Sequence, residues 1–504
     1  MSTVGQEGVL RPARVAGAHR AWTGRAERAH ALLSREAPLL IAWGAMTALW
    51  LAVGGGFAAD SWLTLLGGRE FLQHGLPHHD TLAILSHGHQ WIDQQWLAQL
   101  VYYGLYVLGG VGLVGRVNVL LFAAAAGIAL IAARRSGASP SRVLVCALPA
   151  LLLTASFVRA QVLSEFLFAV VLVLLVRESR RPSRRVLAVF PLVALWGNLH
   201  GAAVMGAAMV SLLGFVELGR AARSRKRRAI ARGLLLTVAA WPCLLVTPYG
   251  DGVLPYYRAT LENPAFAKYI TEWQPPQPLT LWGGTFFVAA FFAAVILVAR
   301  RLRDVNAFEL GILLLTFAAG LLAVRSVIWF AYAVLVLVPP ALERLWPATG
   351  ARDTTKFVPL RAALSTLLLG LCLFFAVKPA GRVEKMWPSA AAQAVARAAR
   401  SEPSLRVFSN EEYADWLLFR QPELRNRIAF DGRWEILAPA QMSAVVHFLQ
   451  RKTPGWERVA RGYGLFVLDP KTNQRVVRTY RHRRNMVVLY RDTRVVVFQR
   501  RPAR

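Results

Sequence analysis

The chain has 504 residues, 55% of them hydrophobic, three cysteines and a formal net charge of +31. It is too apolar for an ordinary soluble enzyme of this length and too poor in cysteine for a disulfide-framed secreted scaffold. The charge suggests nucleic acid, but its distribution excludes that partner, because the arginines crowd alternate loops instead of forming one basic face.

Residues 1–36 form a basic tail without apolar periodicity, expected to be disordered. From there apolar runs recur to about residue 380, near 37–57, 112–133, 142–158, 161–176, 186–200, 202–219, 229–247, 281–299, 307–324, 326–343 and 358–377. Read as membrane helices, they predict a mainly α, polytopic bundle of about eleven spans over 37–377. Pro149, Pro191, Pro242 and Pro339 fall inside spans, where neighbouring helices can satisfy the freed carbonyls. The arginines cluster at Arg134, Arg135 and Arg142, at Arg177 to Arg185, at Arg220 to Arg232, and at Arg300, Arg301 and Arg303. The intervening loops hold almost no Lys or Arg. This positive-inside pattern predicts a multi-pass protein of the cytoplasmic (inner) membrane with a cytoplasmic N-terminus. Cys146, Cys243 and Cys372 fall in apolar spans and read as small core residues.

Two outward loops are long, 58–95 and 248–280. The first contains a helical stretch, SWLTLLGGREFL, and leads into an amphipathic segment at 96–110 expected to lie along the interface behind an Asp93 cap. Residues 378–504 differ in kind. Short β-rich runs at 406–409, 427–430, 465–469, 486–490 and 494–498 alternate with helical stretches near 389–400, 411–419 and 439–451, which predicts an extracytoplasmic α/β domain.

Polar residues at outward helix ends are the candidates for chemistry. Asp60 reads either as a general base for an acceptor hydroxyl or as the N-cap of the helix that follows. Asp80 reads either as a second acidic group or as an Asx turn after Leu76-Pro77. Arg159 and Arg325 occupy outward hairpins, where a guanidinium suits a lipid phosphate, and Arg159 has an alternative partner in Glu165. His200 sits at another hairpin, and Glu272-Trp273 precedes Pro275-Pro276 in a rigid aromatic corner suited to lining a sugar site. His74, His78, His79, His87 and His89 are dense, yet no spacing matches an established zinc pattern, so no metal is assigned and no cofactor is expected. Phosphate-loop, dinucleotide-fold and HExxH signatures are absent, which points to a substrate already held in the membrane.

In order, Asp60-x-Trp62, Gly68-Arg69, Leu76-Pro77, Asp80, Trp91 and Gln95-Trp96-Leu97 make up a pattern that resembles the first external loop of GT-C type polytopic glycosyltransferases. Asn198 to Gly201, Thr247 to Gly250, Glu272 to Pro276 and Asp431-Gly432-Arg433 extend the resemblance to bacterial membrane proteins related to that class, over most of residues 40–440. It departs at Gln95, where a glutamate is common. The resemblance implies a polyprenyl-phosphate sugar donor, inverting transfer to a glycan, lipid or protein hydroxyl, Asp60 as base, and Arg159 and Arg325 on the departing phosphate. It also implies Asp80 and His79 as groups orienting the acceptor. The rivals are a lipid-linked sugar transporter and a non-catalytic envelope-polysaccharide assembly protein.

Overall fold

The computed structural model describes residues 36–52, 56–154, 157–224, 226–299, 305–347, 358–377 and 386–501. The basic tail up to residue 35 and the arginines at 300, 301 and 303 lie outside these residues.

Most of the described chain is helical. Helices α1 (Glu36–Ala52), α2 (Ala59–His74), α3 (Trp96–Arg135), α4 (Pro140–Thr154), α5 (Gln161–Arg180), α6 (Val189–Leu199), α7 (Ala203–Ser224) and α8 (Arg227–Ala239) come first. After the short α9 (Val253–Leu261) and α10 (Pro264–Tyr269) follow α11 (Leu281–Ala299), α12 (Ala307–Leu322), α13 (Val327–Leu345) and α14 (Val358–Val377). Four segments, Trp96–Arg135, Ala203–Ala222, Arg227–Leu245 and Val324–Leu345, are long and apolar enough to cross a membrane, and shorter apolar helices accompany them. A count of eleven is not reached this way among the described residues. The expected span at 186–200 is a 3-10 turn, Arg184–Ala188, followed by the 11-residue α6, which at 1.5 Å per residue is too short to cross alone.

The amphipathic segment and the next span form one helix, α3, broken at Gly109 and Gly110, the latter at φ 62°. Glycine has no Cβ to oppose that left-handed conformation, so the bend falls there. Asp93 does not cap α3. The N-cap is Gln95, and the Asp93 carboxylate instead accepts a hydrogen bond from Gln99 Nε2 at 2.9 Å.

The arginine-rich turns among the described residues gather at one end of the bundle. Arg134 pairs with Glu36, Arg180 with Glu309 at 2.5 Å, and Arg232 with Glu178 and Glu217 at 3.2 and 3.1 Å. The loops that hold Asp60, Arg159, His200 and Arg325 lie at the opposite helix ends. Helix α13, buried along nearly its whole length, is the central post against which α3, α4, α11 and α12 pack.

At the C-terminal end, β1 (Val407–Ser409), β2 (Leu465–Leu468), β3 (Met486–Arg491) and β4 (Val496–Arg500) form a sheet in the order β1-β2-β4-β3. Only β1 and β2 are parallel. Helices Ser389–Ser401, Glu411–Arg420, Pro439–Gln450 and Gln474–Arg481 flank it; the last has no counterpart in the sequence reading. The expected strand at 427–430 is reduced to a bridge at Ile428, which pairs with Val407 on one side and with Ala83 of the first loop on the other. Ile84 and Leu85 donate to the carbonyls of Ile428 and Ala429 at 2.8 and 2.9 Å, so the first loop extends the C-terminal β structure. This region also shares a core with α2: Trp62 lies 5.6 Å from both Trp387 and Phe419.

Gly67 and Gly68 let α2 and α3 touch. A Cβ on Gly68 would lie 2.3 Å from the Gln99 carbonyl oxygen, a backbone atom that no rotamer change can move. Gly68→Ala is therefore expected to destabilise the purified protein by about 1–3 kcal/mol, as overpacking does. Gly104→Ala, where a Cβ meets nothing within 4 Å, serves as the control in the same thermal melt.

Candidate active site

A local hydrogen bond brings the first two functional side chains together. In the first turn of α2, the Ser61 hydroxyl accepts from the Ala58 amide at 2.9 Å and donates to the Val158 carbonyl at 2.6 Å. That contact aligns the neighbours of Ser61 and Val158, and Asp60 Oδ2 lies 3.1 Å from Arg159 Nη2. Asp60 is not the N-cap of α2; Ala58 holds that position, and the Asp60 carboxylate is half-exposed. Arg159 also grips Glu272, with Nη1 at 3.0 and 3.2 Å from the two carboxylate oxygens and Nη2 at 3.0 Å from Oε1. Its partners are thus Asp60 and Glu272, whereas Glu165 accepts from the Tyr332 hydroxyl at 3.2 Å.

The corner at Glu272 is held by the next hairpin. The Val324 amide donates to the Gln274 carbonyl at 2.9 Å, and the Arg325 guanidinium stacks 4.6 Å over the Trp273 ring. His200 ends α6 and accepts the Ala202 amide at Nδ1 (3.1 Å), which leaves its proton on Nε2. Burial, with the charges of Arg325 and Arg159, pushes the His200 pKa down to about 3, so the ring is neutral near pH 7.

These groups surround one cavity of about 390 Å³, lined by Asp60, Arg159, His200, Glu272, Trp273 and Arg325 among others. The sequence reading did not single out Gln94, Tyr256, Glu411 or Glu435, which line it as well. Burial pushes Glu411 and Glu435 up to about 7 each, and the Asp60 charge adds to both shifts. Glu435 follows the Asp431-Gly432-Arg433 element by two residues, a hint in the sequence; Glu411 opens the helix Glu411–Arg420 and has no such signal. A second, mainly apolar cavity of about 240 Å³ adjoins the first, lined by Leu153, Phe157, Trp282, Val324 and Ile328. Both cavities share Arg159, Gln161, Glu272 and Arg325.

Two expected residues lie elsewhere. Asp80 is fully buried and does not line the cavity. Its carboxylate accepts from Arg433 Nη2 at 2.7 Å, from the Ser86 hydroxyl at 2.6 Å and from the Leu82 amide at 2.9 Å. Burial pushes its pKa up, but Arg433 and these hydrogen bonds more than offset that and hold it below the usual carboxylate value. Asp80 is thus an Asx-type anchor with no face open to a substrate. His79 is exposed outside the cavity, in a bridge with Gln90. Nor do the loop histidines assemble a metal centre: among the described residues no group of three His, Cys, Asp or Glu side chains is placed to hold an ion.

Several elements of the resemblance join the loops to one another. Trp96 Nε1 donates to Asn198 Oδ1 at 3.0 Å. The Tyr249 hydroxyl donates to the Pro77 carbonyl at 2.8 Å and accepts from the Asp93 amide at 3.1 Å. Arg433 bridges Asp431 and Asp80 and lies 4.1 Å over Trp91.

No protein-family model and no curated protein sequence matches the chain. Among solved structures it is similar to ArnT from Cupriavidus metallidurans bound to undecaprenyl phosphate, with TM-score 0.50 and 16% identity, over 91% of this chain and 97% of that one. It is also similar to the arabinofuranosyltransferase AftD from mycobacteria, with TM-score 0.50 and 14% identity, over 92% of this chain and 40% of that one. Identities this low bear on architecture, and by that measure the chain has the GT-C-like fold that its sequence elements resemble.

Proposed function

We propose that the chain is an inverting membrane glycosyltransferase. It moves a sugar from a polyprenyl-phosphate donor to an acceptor hydroxyl at the outer face of the cytoplasmic membrane. The observation that carries this reading is the meeting of Asp60 with Arg159 and Arg325 in one cavity, beside an apolar cavity that shares both arginines. The apolar cavity suits the first isoprene units, the guanidinium pair suits the phosphate, and the polar cavity suits the sugar and the acceptor. In the similar ArnT structure the bound molecule is undecaprenyl phosphate.

The chemistry is a single displacement. The acceptor oxygen bonds to the anomeric carbon from the face opposite the phosphate, and its proton passes to Asp60. The bond from that carbon to the phosphate oxygen breaks, its electron pair leaves with the polyprenyl phosphate, and Arg159 and Arg325 stabilise the growing charge. Neutral His200 keeps an Nε2–H for hydrogen bonding in the cavity, and the Trp273 ring suits a sugar face. The C-terminal region supplies Glu411 and Glu435 to the same cavity, so it serves as part of the extracytoplasmic substrate site.

The test is a transfer assay in lipid with a panel of polyprenyl-phosphate sugars and hydroxyl acceptors, following released polyprenyl phosphate. Arg159→Gln is expected to lower release by about a hundredfold, the loss typical of removing one donor to a developing oxyanion. Donor binding without release under any condition would move the reading to a scaffold or transporter.

A further inference from the structure

The anion site of this cavity is filled by the protein itself. Glu272 makes three contacts of 3.0–3.2 Å with the Arg159 guanidinium, and Asp60 takes Nη2 at 3.1 Å. Among the described residues only Nε of Arg159 is left, buried without a hydrogen-bond partner. Glu272 also feels Arg325: burial pushes its carboxyl up, but Arg159 and Arg325 together hold it below the usual value. A carboxylate paired with Arg159, lining with Arg159 and Arg325 the wall that the apolar and the polar cavity share, occupies the position that suits a lipid phosphate.

We infer that Glu272 is a resident competitor for the donor phosphate and that loading the donor exchanges one anion for the other on Arg159. The inference rests on the lipid-phosphate reading above. A guanidinium binds an oxyanion best through two parallel N–H groups, and here both terminal nitrogens are engaged by carboxylates. A phosphate therefore gains a two-point grip only when a carboxylate lets go. Glu272 is the group able to leave: both carboxylates are half-exposed, but Glu272 sits on a single 3-10 turn, Thr271–Trp273, whereas Asp60 is fixed in the first turn of the 16-residue α2. Drawing Arg159 towards the phosphate also loosens its hold on Asp60, so the base is released from its ion pair when a donor is present. Once transfer is complete, the returning Glu272 competes with the product phosphate and helps to expel it.

The experiment measures binding of undecaprenyl phosphate to the full chain in lipid nanodiscs, with uncharged undecaprenol as control. Glu272→Gln keeps the shape and removes the competing charge. It is expected to bind undecaprenyl phosphate about three- to fivefold more tightly than wild type, the scale of a partly exposed ion pair. Undecaprenol affinity should not change, and Arg159→Gln should lose phosphate-dependent binding. Thermal melts add a second readout. The Arg159–Glu272 coupling from a double-substitution cycle should be present in the free protein and vanish under saturating lipid. Equal or weaker binding by Glu272→Gln, or coupling that persists with lipid bound, overturns the exchange. If Arg159→Gln still abolishes binding in that case, the lipid-phosphate reading stands. Absence of phosphate-dependent binding in every variant sinks both.

Discussion

Asp60→Asn is expected to lower sugar transfer by about 10²- to 10⁴-fold, the range for loss of a general base. Stability should barely change. The side chain caps nothing, since Ser61 forms the hydrogen bonds at the start of α2. Its pair with Arg159 is half-exposed on the carboxylate side, and such pairs contribute only about 0–1 kcal/mol. Loss of the charge also relieves Arg159, so affinity for polyprenyl phosphate should hold or rise while turnover collapses. Initial rates at saturating donor, measured beside a thermal melt and a binding isotherm, separate these effects. Turnover near the wild-type rate would remove Asp60 from the role of base.

The largest structural effect is expected at Arg433. Its guanidinium is buried between Asp80 and Asp431, with the Asp80 oxygen at 2.7 Å, and stacks on Trp91. Arg433→Met leaves two buried carboxylates without their cation, and removing one partner of a buried pair costs about 3–5 kcal/mol. The pair joins the first loop to the C-terminal region, so both walls of the cavity should loosen and transfer should fall with stability. The pH dependence has a definite sign. In the wild type the Asp80 pKa is held below its unfolded value, so its contribution is present above that value and fades as pH falls through the lower, folded one. In Arg433→Met the Asp80 carboxyl is pushed up instead, because burial then disfavours its charged form without the offsetting guanidinium. The deficit of the variant should be greatest near neutral pH and shrink as acid protonates Asp80. Melts of both proteins across the acid range check this; a deficit independent of pH would mean that Arg433 acts by packing alone.

Most C-terminal elements are legible from apolar patterning, because period and length are local properties of the chain. Helices Ser389–Ser401, Glu411–Arg420 and Pro439–Gln450 all fall where the helical stretches were expected. Ile428 is an instructive exception. Its run looks like a strand, but it forms only a bridge, to Val407 on one side and to Ala83, far away in the first loop, on the other. The break at Gly109-Gly110 falls where the expected interfacial segment 96–110 meets the expected span 112–133, but the two are one bent helix and not separate elements.

For the candidate site, the sequence by itself determined which residues sit at the helix ends opposite the arginine-rich turns. Asp60, Arg159, His200, Glu272, Trp273 and Arg325 all reach the same cavity because alternate hairpins of a helical bundle end on one face. Which carboxylates face that cavity was decided only in three dimensions. Asp80 lies in the same loop region as Asp60 and has the same chemistry, yet Arg433, 353 positions away, takes it into the core. Glu411 and Glu435, which the sequence reading did not single out, line the cavity as well. Helix ends follow from the length and polarity of contiguous residues. The partner of a charged side chain follows from long-range packing, which leaves no mark on the residues beside it.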